Sequence, residues 1–470
     1  MSNNSIDFMT ISELSENIRE KKLSPTEIVK EQLKTINKLN DSNKSFLYIA
    51  EEQSIKDAKN IEKEISSGNY KGPLHGIPIG LKDLYETDNM PTTSGSVIFN
   101  DYQSNKNATS VQKLIDAGSI IIGKLNMHPF AFGAFGTNSD FGTPPNPWNT
   151  SHIPGGSSSG SGVAVASGMI PGATGSDTGG SIRIPSAVCG IVGIKPTYGR
   201  ISRYGLTPLS WSLDTAGPMT RSVKDCAYML EAMSGFDIND DSSSTRDVPQ
   251  FSKAFDQEPR KFTIGVPKNQ YFTNIHSEVG TKVNEAIETL KSLGFSIVEI
   301  DIPTPEEAGK IQTNIINPEA VAFHQDRLRN DIDRIAPDVR ARLESGVFIP
   351  AVNYIQAQRL RRQFIGRMVD CMSNVDALIT PTEPICTPEI GQTTTIINNE
   401  EVTIQSLLTK FTSPFNLSGL PAISVPCGFD TVGLPIGLQI VGKHFDEMTI
   451  LQIAHIFESN TEWHTMKPPL

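Results

Sequence analysis

Between Gly155 and Ser181 the chain concentrates hydroxyls and glycines. It runs Gly155-Gly156-Ser157-Ser158-Ser159-Gly160-Ser161-Gly162, then the apolar Val163-Ala164-Val165-Ala166, then Gly175-Ser176-Asp177-Thr178-Gly179-Gly180-Ser181. Glycine tolerates positive φ and close approach, so serines set among glycines, Ser157 and Ser181 foremost, can bring hydroxyls and bare backbone N–H groups to a substrate. A hydroxyl so placed needs a base to become a nucleophile. Upstream, Lys82 ends the run Gly76-Ile77-Pro78-Ile79-Gly80-Leu81. Burial there would depress its pKa, leaving a neutral amine able to accept a proton. A lysine after an apolar strand commonly only snorkels to water, and a Gly/Ser run is commonly a linker. The apolar stretch and the second glycine cluster argue that this run lies in packed structure, and beside the two serine loops Lys82 favours the chemical reading.

Three other patterns compete for attention. Gly156-Ser157-Ser158-Ser159-Gly160 satisfies G-x-S-x-G, which would make Ser158 the nucleophile of an elbow following a β-strand. The preceding Asn146-Pro147-Trp148-Asn149-Thr150-Ser151-His152-Ile153-Pro154 reads as loop, so the elbow is not expected. Gly118 to Lys124 spells G-x-x-x-x-G-K, but Ser119-Ile120-Ile121-Ile122 is a buried-strand pattern and Leu125 replaces the magnesium-binding Ser/Thr, so a strand is expected. The eight histidines, including His75, His128, His152 and His324, have no ligand spacing, and no metal site is expected.

The motifs resemble the amidase signature hydrolases. The resemblance rests on Gly76-Ile77-Pro78-Ile79-Gly80-Leu81-Lys82-Asp83, on Pro154 to Gly160, and on Gly175-Ser176-Asp177-Thr178-Gly179-Gly180-Ser181-Ile182-Arg183. It continues through Gly193-Ile194-Lys195-Pro196-Thr197, Gly217-Pro218-Met219 and Gly419-Leu420-Pro421-Ala422-Ile423-Ser424-Val425-Pro426, and so covers almost the whole chain. It implies a catalytic set of Lys82, Ser157 in a cis peptide, and the nucleophile Ser181. Ser157 is preferred to Ser158 and Ser159 as the first serine after the double glycine. The backbone N–H groups of Thr178, Gly179, Gly180 and Ser181 are then the expected oxyanion hole. Met127, Phe130 and Phe132 are expected to form an apolar pocket wall, with core packing as the plain alternative, and His128 is a further pocket candidate. Asp177 and Arg183 are expected to brace the turn by charge-assisted hydrogen bonds. No cofactor is expected.

Two functions follow from the resemblance. One is a free-standing amidohydrolase that cleaves linear amides, carbamates or esters through a seryl acyl-enzyme, its partner being a small-molecule amide. The alternative is the glutamine-hydrolysing A subunit of a tRNA-dependent amidotransferase, whose pattern is approached by Lys195-Pro196-Thr197-Tyr198-Gly199-Arg200 and Ser202-Arg203-Tyr204-Gly205. Those subunits commonly carry Asp-Glu where His128 and Pro129 stand, and an aspartate where this chain has Thr409. Acidic groups there would engage the ammonium of glutamine. Their absence, and Trp211-Ser212-Leu213-Asp214, favour the free-standing hydrolase; Arg340 or Arg342 is left to hold a substrate carboxylate.

Elements must bring Lys82, Ser157 and Ser181 together across one fold. Helical patterns alternate with apolar runs, which indicates an α/β class, and the family architecture is a mixed central β-sheet covered by helices on both faces. Ser24-Pro25-Thr26-Glu27 is a capping box opening a helix with Val29, Leu33 and Ile36 on one face. Val283, Ile287 and Leu290 repeat at helical spacing before the strand Ile297-Val298-Glu299-Ile300. One domain over 1–470 is expected, with a helical segment of about 1–65 packed on it and Asp237 to Pro259 as a surface excursion. A net charge of −11, from 41 basic and 52 acidic residues, disfavours nucleic-acid phosphates. Five cysteines without paired spacing fit a reducing cytoplasm. The first residues have no basic and apolar regions of a signal peptide, and no run of roughly eighteen apolar residues spans a bilayer, so no membrane partner is expected. Homodimers are common in the family.

Overall fold

Short apolar runs punctuated by Gly, Pro and polar residues form the strands, and longer amphipathic runs form the helices between them. The computed structural model of the chain describes residues 6–256, 260–268 and 270–470. Its strands are β1 (Phe46–Ile49), β2 (Pro78–Lys82), β3 (Ile120–Leu125), β4 (Gly172–Asp177), β5 (Val192–Lys195), β6 (Thr215–Thr220), β7 (Thr263–Pro267), β8 (Ser296–Ile300), β9 (Ala377–Pro381), β10 (Thr394–Ile397), β11 (Glu400–Thr403), β12 (Ala422–Phe429) and β13 (Pro435–Val441). Eleven of them make one sheet in the order β1-β3-β2-β4-β6-β5-β12-β13-β9-β7-β8, while β10 and β11 pair separately. The pairings β2·β3, β2·β4, β7·β8 and β7·β9 are parallel and the rest antiparallel, so the sheet is mixed as expected.

Helices cover both faces because strand side chains alternate. Along β3, Ile120 and Ile122 join a core with Val29, Leu33 and Ile36 of the helix Pro25–Asn43 and with Val163 and Val165 of the helix Ser159–Ala166. Ile121 turns to the opposite core, shared with Leu114, Leu230 and the other-face residues Ile79 and Leu81 of β2. The expected capping box is formed: Ser24 Oγ accepts from Glu27 N at 3.2 Å and Ser24 N donates to Glu27 Oε2 at 2.8 Å. Val283, Ile287 and Leu290 are buried on the helix Ser277–Ser292, which precedes β8.

The phosphate-loop look-alike is indeed strand. Lys124, buried in β3, donates to Tyr85 O at 2.7 Å, Pro91 O at 3.0 Å and Thr92 Oγ1 at 2.7 Å. The described part of the excursion, residues 237–256, holds no strand; Phe251 and Ala254 are buried, and Asp237 accepts from the Ser202 hydroxyl at 2.6 Å. Its residues 257–259, and residues 1–5 of the amino-terminal stretch where no signal peptide is expected, lie outside the described residues. Among the described residues no helix is long and apolar enough to cross a membrane.

Two strand ends set the site. β2 terminates at Lys82 and β4 at Asp177, and they are parallel neighbours, so the lysine and the turn after Asp177 emerge on the same side of the sheet. Between them in space lies the amino-terminal end of the helix Ser159–Ala166, whose preceding residues are Ser157 and Ser158.

Candidate active site

Lys82, Ser157 and Ser158 are completely buried, and the lysine amine lies at the centre of three hydroxyls. Lys82 Nζ donates to Ser157 Oγ at 2.7 Å, Ser158 Oγ at 2.9 Å and Ser176 Oγ at 2.8 Å. Burial pushes its pKa down to about 7, with Asp177 and Asp214 acting in the opposite direction. A neutral amine there donates twice and accepts once. Ser158 has spent its own proton, its Oγ donating to Ser181 O at 2.6 Å. Ser157 follows a cis peptide bond from Gly156, as the family resemblance implies. Only glycine fits at 156, because a Cβ would stand 2.5 Å from Gly136 N. Ser159, the third serine of the run, makes no hydrogen bond with Lys82 and is buried with its Oγ unpartnered among the described residues.

Ser181 ends a tight turn that is held from every side. The Asp177 carboxylate accepts from Gly180 N at 2.7 Å, Ile182 N at 3.1 Å, Arg183 NH2 at 2.9 Å and Asn416 Nδ2 at 2.7 Å. Burial pushes the Asp177 pKa up, but the Arg183 charge and the hydrogen bonds from Arg183 and Asn416 outweigh it and hold the group at about 2. The bracing by Asp177 and Arg183 is therefore present as expected, both side chains fully buried. Thr178 Oγ1 donates to Asp214 Oδ1 at 2.6 Å, Gln312 Nε2 donates to Thr178 O at 2.8 Å, and Thr412 Oγ1 donates to Gly179 O at 2.5 Å. Gly180, at φ 137°, admits no side chain, since a Cβ would meet Thr412 Oγ1 at 2.3 Å.

The four expected oxyanion donors are thus not equivalent. Gly180 N–H is already taken by Asp177, whereas Thr178, Gly179 and Ser181 have backbone N–H groups without an acceptor among the described residues. No hydrogen bond joins the Ser157 and Ser181 hydroxyls among the described residues.

Ser181, Thr178 and Gly179 face a cavity of about 150 Å³. Of the three expected wall residues, only Phe132 lines it. Met127 and Phe130 are core: Phe130, at φ 54°, turns away to pack on His324 at 4.4 Å between ring centroids and edge-on to Phe99 at 5.7 Å. His128 does not reach the cavity either; its Nε2 lies 3.0 Å from Asp338 Oδ2. Of the two arginines, Arg340 points outward to Glu344 and Asp333 at 2.8 and 3.1 Å. Arg342 lines the cavity, its guanidinium without a hydrogen bond or ion pair among the described residues and 5.6 Å from the Phe132 ring centre. Thr409 and Gln312 complete this side, and no Asp or Glu among the described residues lines the cavity. Sequence reasoning missed Ser176 as a partner of Lys82, although it lies within the quoted motif. Gln312, Thr412 and Asn416 it could not find, because nothing local ties them to the turn.

The site thus combines a buried lysine against serine hydroxyls with a serine-bearing turn whose Thr178, Gly179 and Ser181 N–H groups are free among the described residues, at the strand ends of a mixed α/β sheet. The family model described as Amidase matches residues 27–451, and the chain belongs to that family, whose members are hydrolases acting on C–N bonds. It is 38% identical to the A subunit of glutamyl-tRNA(Gln) amidotransferase from Halalkalibacterium halodurans, over 98% of this chain and 99% of that one. Among solved structures, it matches a chain from a vestigial protein complex bearing on the evolutionary origins of an s-triazine catabolic enzyme, with TM-score 0.92, 31% identity, and 96% and 98% of the two chains covered. It also matches the A subunit of glutamyl-tRNA(Gln) amidotransferase from Thermotoga maritima, with TM-score 0.82, 34% identity, and 100% and 98% covered.

Proposed function

We propose that this chain is a free-standing amidohydrolase that cleaves linear amide C–N bonds through an acyl-enzyme on Ser181. The observation that carries the reading is the buried Lys82 amine, 2.7 Å from Ser157 Oγ and with a pKa near 7, at the foot of the turn that presents Ser181 to a cavity. Ser181 Oγ attacks the substrate carbonyl carbon, its proton passes to Ser157, and the Ser157 proton passes to neutral Lys82. Ser158 cannot serve as that relay while its proton is held by the Ser181 carbonyl. The carbonyl oxygen, now an anion, is held by the N–H groups of Thr178, Gly179 and Ser181, each worth about 3 kcal/mol of barrier. Gly180 N–H instead holds Asp177 and so keeps the turn in shape. Collapse of the tetrahedral intermediate breaks the C–N bond as the relay returns the proton to nitrogen. Water then attacks the ester by the same route and releases the acid. The same steps accommodate carbamates and esters.

The cavity supports a substrate without an ammonium group. Among the described residues its one charged side chain is Arg342, which suits a carboxylate or a polarised carbonyl, and Thr409 is neutral. The relatives named as amidotransferase A subunits favour the second reading, glutamine hydrolysis within a complex of subunits. Glutamine would place its ammonium in a cavity that offers no carboxylate. The two readings separate on ammonia release by the purified chain from acetamide, benzamide, succinamate, ethyl carbamate and glutamine, with Ser181→Ala as control. Turnover of the neutral or anionic amides but not glutamine establishes the free-standing hydrolase. Turnover of glutamine alone, or only with partner subunits added, replaces it with the amidotransferase.

A further inference from the structure

The Ser181 cavity has a larger neighbour. A second cavity of about 530 Å³ shares Ala131, Thr178 and Leu209 with it as a common wall; the segment that carries Tyr198, Tyr204, Trp211 and Asp214 forms much of the rest, with Asp240 and Asp241 at another side. Ser176 opens on this larger cavity and not on the smaller one, and Ser176 Oγ accepts from Lys82 Nζ at 2.8 Å. Lys82 and Ser157 line neither cavity, and of the three hydroxyls that meet the amine it is that of Ser176 whose residue borders the larger one.

Resting on the acyl-enzyme reading above, we infer that this larger cavity receives the amine half of the substrate, and that the enzyme prefers secondary amides whose nitrogen carries a bulky ring-bearing group over primary amides. The nitrogen must take a proton from the relay when the C–N bond breaks, so it lies on the side of Ser181 that faces Ser157 and Lys82. Substituents on that nitrogen extend past Thr178, toward Ser176. Departing ammonia needs about the space of one water, roughly 30 Å³, whereas this cavity is the size that encloses a whole small-molecule ligand. The smaller cavity, near the volume that holds a single benzene, suits a compact acyl group. Tyr198, Tyr204 and Trp211 line the larger one beside Arg203 and Asp240, and the rings are held: Tyr198 Oη donates to Trp211 O at 2.8 Å, and the Arg203 guanidinium sits 5.0 Å from the Tyr198 ring centre. The Trp211 side chain is 44% exposed, and its indole N–H makes no hydrogen bond among the described residues. Such a ring is free to stack on a ligand.

Matched pairs that share an acyl group test this: acetamide with N-benzylacetamide, and succinamate with N-benzylsuccinamate. Benzylamine and ammonia are of closely similar basicity and so leave about equally well, and a difference between partners reports binding. In the wild-type enzyme the N-benzyl partner should show a KM about tenfold lower than its primary amide. Trp211→Ala should raise that KM about fivefold or more and leave the primary amide unchanged. Cleavage of primary amides with N-benzyl partners refused, or equal KM values insensitive to Trp211→Ala, overturns the inference and leaves the amidohydrolase standing. Ser181-independent release, or none from any pair, removes both.

Discussion

Lys82 can act as a base only while its amine is neutral, and this makes the acid side of the pH profile predictable. With a pKa of about 7, the neutral fraction is about one tenth at pH 6, about one half at pH 7 and about nine tenths at pH 8. For an uncharged amide, kcat/KM should therefore rise about tenfold from pH 6 to 8 and then level. The same shift bears on stability. An unfolded lysine keeps its proton up to pH of about 10.4, the folded one loses it near 7, so between these values the unfolded state binds more protons and stability rises with pH. Below about pH 7 the buried ammonium costs the fold on the order of 5 kcal/mol relative to a lysine in water. Lys82→Met removes base and charge together. Its kcat should fall by about 10³ or more, while its Tm near pH 6.5 holds or rises, the hydroxyls of Ser157, Ser158 and Ser176 left without their donor offsetting part of the gain. Initial rates of ammonia release from acetamide across about pH 5.5 to 9, with thermal melts of both proteins, provide the measurement. A flat profile between pH 6 and 8, or a Lys82→Met enzyme retaining more than about a tenth of the rate, refutes a neutral-lysine base.

Three further outcomes are expected. Gln312→Leu releases the Thr178 carbonyl that Gln312 holds at 2.8 Å, loosening the peptide that carries the Gly179 N–H; steady-state kinetics should show kcat down about tenfold with KM little changed. Arg342→Gln should raise KM for succinamate about tenfold and leave acetamide unaffected, as measured side by side. Asp177→Ala leaves Arg183 buried without its carboxylate, and denaturant titration should report a loss of about 3–5 kcal/mol. Because the Asp177 pKa is held at about 2, its contribution in the wild-type protein is present above about pH 4 and fades as pH falls through 2, visible as acid unfolding that the variant lacks.

Much of the site was legible because it is local. The glycine turn, Ser181 and the Asp177–Arg183 brace lie within a few residues of one another, and the chemistry of a turn follows from which residues can adopt it. The capping box at Ser24 and the strand through Lys124 were legible for the same reason, each being set by neighbours in sequence. Other elements were not. Phe130 and Phe132 are the same residue type two positions apart, yet only Phe132 meets the cavity, because Phe130 takes positive φ and packs on His324. Arg340 and Arg342 share one helix, and the rotation of that helix against its neighbours sends one to solvent and the other to the cavity that Ser181 also lines.

By itself, then, the sequence determined the candidate groups: a lysine at a strand end, serines among glycines, an acid and an arginine six residues apart. Only the tertiary structure decided which hydroxyls meet the amine, which N–H groups stay free and where the two cavities lie. Lys82 acquires a depressed pKa through burial, and Gln312, Thr412 and Asn416 reach the turn from more than a hundred residues away. Burial and long-range contact arise when distant elements pack, and no local pattern encodes their direction.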